Sequence, residues 1–245
     1  MTADQSVTRT SARPVQVRLP GQAAAPDGPL DLTMMFVVHR AFRRDLENFA
    51  AAAARTPVSD RAAWAALDER WQLFADGLHH HHSVEDDRLW PALEAAARAA
   101  GEDGAPEVLA AMAAEHSMID PLLEAVGEGF RRLAGAPDDD ARAALAVRTA
   151  AAREQLGSHL AHEETEALAL AQRVLAPAEW NVVLAAFNEG LGLRDLAFLV
   201  PWVMYELPRP AARRITRGKD RVLAVLHVVF RRAWLRRERI AFRHV

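Results

Sequence analysis

Cysteine is absent from the 245 residues. Disulfides, zinc–thiolate sites, iron–sulfur clusters and thiol nucleophiles are thereby excluded. Tyrosine occurs once and β-branched runs are scarce, which argues against sheets. Glycine (12) and proline (13) are few and fall mostly between apolar periodic segments. No run approaches the roughly 18 consecutive apolar residues of a membrane span. The chain does not start with the basic-then-apolar pattern of a secretion signal, so a cytoplasmic protein is expected. What is there is an Ala- and Leu-rich chain, 51% hydrophobic, that reads as all-helical with an ample core.

The formal net charge of −3 hides an asymmetry. Residues 209–245 carry twelve Lys/Arg against two Asp/Glu, a net +10, which leaves −13 on residues 1–208. An acidic body thus carries a basic tail.

Residues 1–30 are rich in Thr, Ser, Gln, Pro and Gly without periodicity and read as a flexible or extended arm. Asp31 or Thr33 is placed to cap a helix reaching about Ala54, with Met35, Val38, Phe42, Leu46 and Phe49 on one stripe and Arg40, Arg43 and Arg44 off it. A second helix begins near Arg61 and carries Trp64, Leu67, Trp71, Phe74, Leu78, His81 and Glu85 at spacings of three and four. Pro91 kinks it or is passed on the way to Ala100. The third spans about Pro106–Leu133 and is expected to bend at Pro121. The fourth runs from about Ala141 to Val174 after an acidic cap at Asp138–Asp140. Four long helices joined by short loops imply an up-down-up-down bundle over residues 31–175. Residues 176–245 form a helical extension expected to pack on it. Pro177 opens one helix, Pro201 divides the apolar stretch 193–207 into a helix pair, and a basic helix runs from Lys219 to about His244.

Eight of the ten histidines lie in the four bundle helices. Helices one and three offer His39 and His116. Helices two and four each offer a His-x-x-x-Glu pair, His81/Glu85 and His159/Glu163, and residues four apart share a helix face. In an antiparallel bundle these six side chains can converge as four imidazoles and two carboxylates. Two divalent ions bridged by the carboxylates fit that inventory, and its nitrogen content suits iron, zinc or copper over magnesium or calcium. His82 and His162 read as outward-facing, as partners of the ligands, or as additional ligands, and His79 and His80 as surface or near-site residues. Asp86 and Glu164 read as acids that hold a ligand by a hydrogen bond or face solvent. Asp120 stays open between a ligand, a partner of one, and a solvated acid beside Pro121.

At Val38-His39-Arg40, His81-His82-Ser83-Val84-Glu85 through Trp90-Pro91, Ala114-Glu115-His116-Ser117 and His159-Leu160-Ala161-His162-Glu163-Glu164, the chain resembles the hemerythrin-like (HHE cation-binding) proteins. The resemblance covers about residues 32–175 and implies a four-helix bundle around two Fe ions with bridging carboxylates and a bridging oxo or hydroxo group. Carried over by motif, the ligands are His39, His81, Glu85, His116, His159 and Glu163. The chain departs from the oxygen-carrying members, which have a second His four residues after the third-helix His, where this chain has Asp120. The extension, with its Pro-Trp pair, resembles those of actinobacterial-type members.

Two functions of different class are implied. One is a di-iron protein that binds or senses O2, NO or peroxide. The other is a di-iron oxidative enzyme, either peroxide-decomposing or oxygenating a small molecule. For the basic last helix the expected roles are to cover the acidic bundle, or to meet an acidic protein or a membrane surface. Nucleic acid is not expected, because no reading motif accompanies the charge.

Overall fold

A computed structural model describes residues 13–217 and 221–245. Helix α1 spans Thr33–Arg55 and α2 spans Arg61–Val84, continuing through a π-helical turn at Glu85–Leu89 into α3, Trp90–Ala100. Helix α4 is Ala105–Gly135. Helix α5 is Asp139–His162 and passes through a second π-helical turn, Glu163–Ala167, into α6, Leu168–Val174. With α2/α3 and α5/α6 each forming one rod, the four rods make the expected up-down-up-down bundle. Helix α1 packs on α5, α5 on α4 and α4 on α2, and α1 closes the ring against α2. The described residues contain no strand, and none of their helices is long and apolar enough to cross a membrane.

Local chemistry sets the boundaries. Asp60 and Asp138 accept from the backbone N–H groups of Ala63 and Ala141, which would otherwise lack partners at the starts of α2 and α5. Asp31 does the same for Thr33 at 3.0 Å, although Leu32 occupies the cap position of α1. Gly101, with φ of +73°, ends α3 in the left-handed conformation that glycine adopts without a side-chain clash. Pro121 lies inside an unbroken α4.

The lower half of the bundle is an aromatic core. Phe42, Phe49 and Phe74 stack edge to face, Trp71 lies on Phe49 and Phe130, and Trp64 packs beyond them against Phe130. Such pairs add about 0.5–1.5 kcal/mol each beyond their buried area. This rigid floor fixes the height of His39, three residues before Phe42, and of His81, seven after Phe74.

Beyond the bundle come α7 (Pro177–Ala186), α8 (Leu193–Met204), α9 (Arg209–Ile215) and α10 (Arg221–Ala241). Pro201 does not divide the apolar stretch as expected. Helix α8 continues three residues past it to Met204, with Val200, Pro201, Trp202 and Val203 buried. Burial of that face stabilises the turn enough to offset the one backbone bond proline removes. Helix α9 was not foreseen. The start of the last helix expected at Lys219 lies outside the described residues, and the helix is seen from Arg221.

Helices α8 and α10 lie over α1 and α2. A buried polar cluster joins the two layers. Asp45 accepts from Trp202 Nε1 at 2.7 Å, from Arg44 at 2.9 Å, and from Arg70. Arg70 also donates to Glu238 at 2.6 Å and lies over the Phe198 ring. Arg44, off the apolar stripe, is nevertheless buried because α8 covers it, and it donates to the carbonyl oxygens of Trp202 and Tyr205. On the far side the described part of the arm runs against the bundle. Gln16 and Leu30 are buried, and Ala23 N–H donates to Glu164 at 2.7 Å.

Candidate metal centre

Each rod brings its donors to the same end of the bundle. His39 sits in the second turn of α1, His116 in the fourth turn of α4, and the two His-x-x-x-Glu pairs at the junctions where α2 and α5 pass into their π turns. Both carboxylates, Glu85 and Glu163, are the first residue of a π turn. A π turn widens the helix by one residue, rotates the downstream rod segment relative to the upstream one, and recurs at functional sites. Pro91, which lacks an N–H, comes just after the first π turn, where the hydrogen-bond ladder is already shifted.

The six predicted donors are all buried, and a seventh joins them. They fall into two groups, in each of which one candidate atom per residue lies within 4.8 Å of the others: His39, His81, Glu85 and Glu163, and next to them His82, His116 and His159. The seventh donor is His82. It is 2% exposed, and its ring stacks on His116 with centroids 4.0 Å apart. Glu85 faces both groups, with one oxygen 3.1 Å from His81 Nε2 and the other 3.6 Å from His116 Nε2.

The unpaired atoms say what the arrangement fits. His39 Nε2, His81 Nε2, both nitrogens of His82 and all four oxygens of Glu85 and Glu163 are buried without a hydrogen-bond partner. A buried polar atom left unpaired costs about 1–3 kcal/mol, so eight in one place call for a compensating charge. The tautomers point the same way. His116 Nδ1 donates to Asp86 at 2.9 Å and His159 Nδ1 donates to Glu115 at 2.7 Å. Each ring then turns a bare Nε2 inward, and the two Nε2 atoms are 3.2 Å apart. Two lone pairs facing at that distance repel unless a cation lies between them. His39 repeats the pattern, with Nδ1 donating to Glu164 at 3.0 Å and Nε2 turned to Glu163 at 3.2 Å.

Residues 31–171 match the family described as the hemerythrin HHE cation binding domain. The chain belongs to that family. Comparison with curated proteins and with solved structures gave no match. The hemerythrin HHE domain covers the bundle alone, and α7–α10 lie outside it.

Around the HHE donors runs a ring of acids that orient imidazoles. Glu164 is fully buried and takes His39, Arg43 and the Ala23 N–H. Asp86 takes His116 from the surface. Half-buried Glu115 takes His159 with one oxygen and His162 with the other, both at 2.7 Å. Such partners fix which nitrogen faces the metal. Glu115 was visible in the sequence only as a neighbour of His116, and no spacing tied it to the fourth rod. His162 is 35% exposed and belongs to neither donor group. Asp120 is 46% exposed, its oxygens stand 3.8 Å from His82 and 3.9 Å from His79, and it is in neither donor group. The third imidazole of the second group thus comes from α2, not from α4. His79 lies on the surface, and His80 reaches the Phe187 carbonyl oxygen at 3.1 Å.

Without a metal, the centre is electrostatically divided. Burial pushes the His39 imidazole down, but Glu163 and Glu164 outweigh it and its pKa rises to about 9. Burial pushes Glu163 up, but His39 and then His81 and His159 hold it down at about 2. Burial, with the neighbouring carboxylate of Glu163, drives Glu85 well above the usual carboxylate range. Burial and crowding by other imidazoles drive His81 and His82 far down, so both stay neutral, the form that binds metal.

Proposed function

We propose that the centre holds two iron ions, with Glu85 and Glu163 shared between them and an oxo or hydroxo group completing the bridge. We propose further that it binds or senses O2, NO or peroxide. The observation that carries this reading is the division of the donors into two adjacent groups of unequal size. His82, His116 and His159 give one group three imidazoles. His39 and His81 give the other only two, beside Glu85 and Glu163, and Glu85 also faces His116. An octahedral preference leaves the two-imidazole position with more room for an outside ligand. When bound, the iron pair supplies the reversible electron transfer that uptake of such a ligand requires.

The chain's own residues do the rest. Glu164, Asp86 and Glu115 hold three imidazoles with Nε2 inward. Phe42, packed on His81 with ring centroids 5.3 Å apart, and buried Leu160 and Ile119 help keep bulk water away from the donors. A dry site strengthens each charge interaction inside it.

The test is metal analysis of the purified full-length protein, with optical spectra before and after reduction and after exposure to O2, NO and peroxide. Two irons per chain and a ligand-dependent spectrum without steady consumption of the ligand support binding or sensing. A chain that holds one ion, or none, ends this reading. A second reading, an oxidative enzyme, is favoured by a cavity that opens against His81. Steady peroxide loss or product formation that vanishes in His81→Ala would select it.

A further inference from the structure

Between the bundle and the extension lies a cavity of about 480 Å³. Its inner end is formed by buried Phe42, His81 and Trp202, and its mouth by the exposed Asn181 and Asn188. Helices α7, α8 and α10, with the turn that follows α7, make more than half of its wall, through residues such as Phe187, Leu199 and Leu223. All of these lie outside the matched family domain.

The lining states what fits. Among the described residues eighteen touch the cavity, and none of these is Asp, Glu, Lys or Arg. Among the described lining residues, with the Trp202 indole already bonded to Asp45, the side chains beside His81 able to hydrogen-bond strongly are His80, Asn181 and Asn188, and the two asparagines are at the exposed mouth. A charged group carried to the inner end would lose its hydration with nothing to replace it. At about 30 Å³ per water the space holds about sixteen waters, or an organic molecule with a similar number of heavy atoms. That lies within the usual range of small-molecule pockets.

Gly77 adds an independent observation. It sits inside α2, where glycine weakens a helix relative to alanine. It is not at a left-handed position, and a Cβ built on it meets nothing within 4 Å. It lines the cavity one turn before His81, on the same face. A side chain there would enter the cavity one turn before His81 and take up space a ligand would use.

We propose that this cavity binds an uncharged, mostly apolar small molecule with a single hydrogen-bonding group. Its polar end lies at Asn181 and Asn188, and its apolar end rests against His81. That the apolar end thereby lies beside an iron ion rests on the function proposed above; the binding itself does not.

The experiment uses the full chain, metal-free and iron-loaded, with the neutral fluorophore N-phenyl-1-naphthylamine as probe. Saturable binding of one probe per chain is expected in both forms. In the metal-free protein, linear alcohols displace it about fourfold more tightly for each added CH2 from hexanol to decanol. Sebacate, of decanol's length but charged at both ends, does not compete. Gly77→Phe weakens probe binding at least tenfold while melting no lower than the parent, and Gly77→Ala still binds. The proposal is overturned by absence of saturable binding, by a folded Gly77→Phe that binds as well as the parent, or by sebacate competing like decanol. A chain that binds the probe in this Gly77-dependent way but takes up no iron sinks the metal reading and leaves the cavity site standing. One that loads two irons but binds no probe does the reverse.

Discussion

Replacing Glu115 by alanine tests whether the two donor groups are separate metal positions. Its carboxylate accepts from His159 through one oxygen and from His162 through the other, each at 2.7 Å. Burial raises its pKa, but the two imidazole hydrogen bonds outweigh this and hold it below its ordinary value, so it is a charged acceptor. Only His159 is a member of a donor group. Without Glu115 nothing holds the His159 proton on Nδ1, and the tautomer with a bare inward Nε2 must be selected at the cost of binding. A hydrogen bond to a charged group contributes about 1.5–3 kcal/mol. At about 1.4 kcal/mol per decade this amounts to one to two decades of affinity, which agrees with the usual 10–100-fold cost of losing such a partner. The loss falls on the His82/His116/His159 position alone, because His39 is held by Glu164. Competition of the metal-free protein against a chelator for Zn2+, or for Fe2+ without air, should give a two-step isotherm in which one step weakens 10–100-fold. His162→Ala, which leaves the His159 bond in place, should change neither step appreciably. Equal weakening of both steps, a change below about threefold, or an equal effect from His162→Ala would refute the reasoning.

Asp45→Ala removes one of the two carboxylates that hold buried Arg70, leaving Glu238, and leaves the Trp202 indole without its acceptor. Breaking a buried pair costs about 3–5 kcal/mol, and at about 2–4 °C per kcal/mol for a chain of this size the melting temperature falls by roughly 6–20 °C. Asp139→Ala, at an exposed position, stays within about 0.5 kcal/mol of the parent by the same calorimetry. Asp120→Ala, exposed and outside both donor groups, leaves metal content by mass analysis unchanged. Free metal at about a thousand times its dissociation constant adds about 4 kcal/mol of stability. Chelation should therefore lower the melting temperature by roughly 8–16 °C, and a metal-independent melting curve would count against a structural role for the ions.

The bundle was legible because its signals are local. Apolar spacings of three and four mark each rod, and loops such as Gly101–Gly104 are short enough to force antiparallel neighbours. The His-x-x-x-Glu pairs were legible because a spacing of four holds two side chains on one face whatever the rest of the fold does. His82 was not. Adjacent residues on a helix point about 100° apart, so His81 facing inward seemed to send His82 elsewhere. The end of α2 instead lies over the middle of the site. The two rings diverge toward the two groups, and Glu85, four residues after one and three after the other, faces both. The π turns leave no compositional mark beyond Pro91. Helix α9 has only seven residues, with Pro208 before it and Pro210 inside it, too short for an apolar period to show. Glu115 and Glu164 gained their partners from other rods, and such tertiary pairings have no sequence period.

The most direct measurement is the number of metal ions per chain in the full-length protein and in His82→Ala, by mass analysis after iron loading without air. Two ions in the parent and close to one in the variant, with the remaining ion at His39/His81, is the result the two-group arrangement predicts. One ion in the parent, or an unchanged count in a folded His82→Ala, would contradict it.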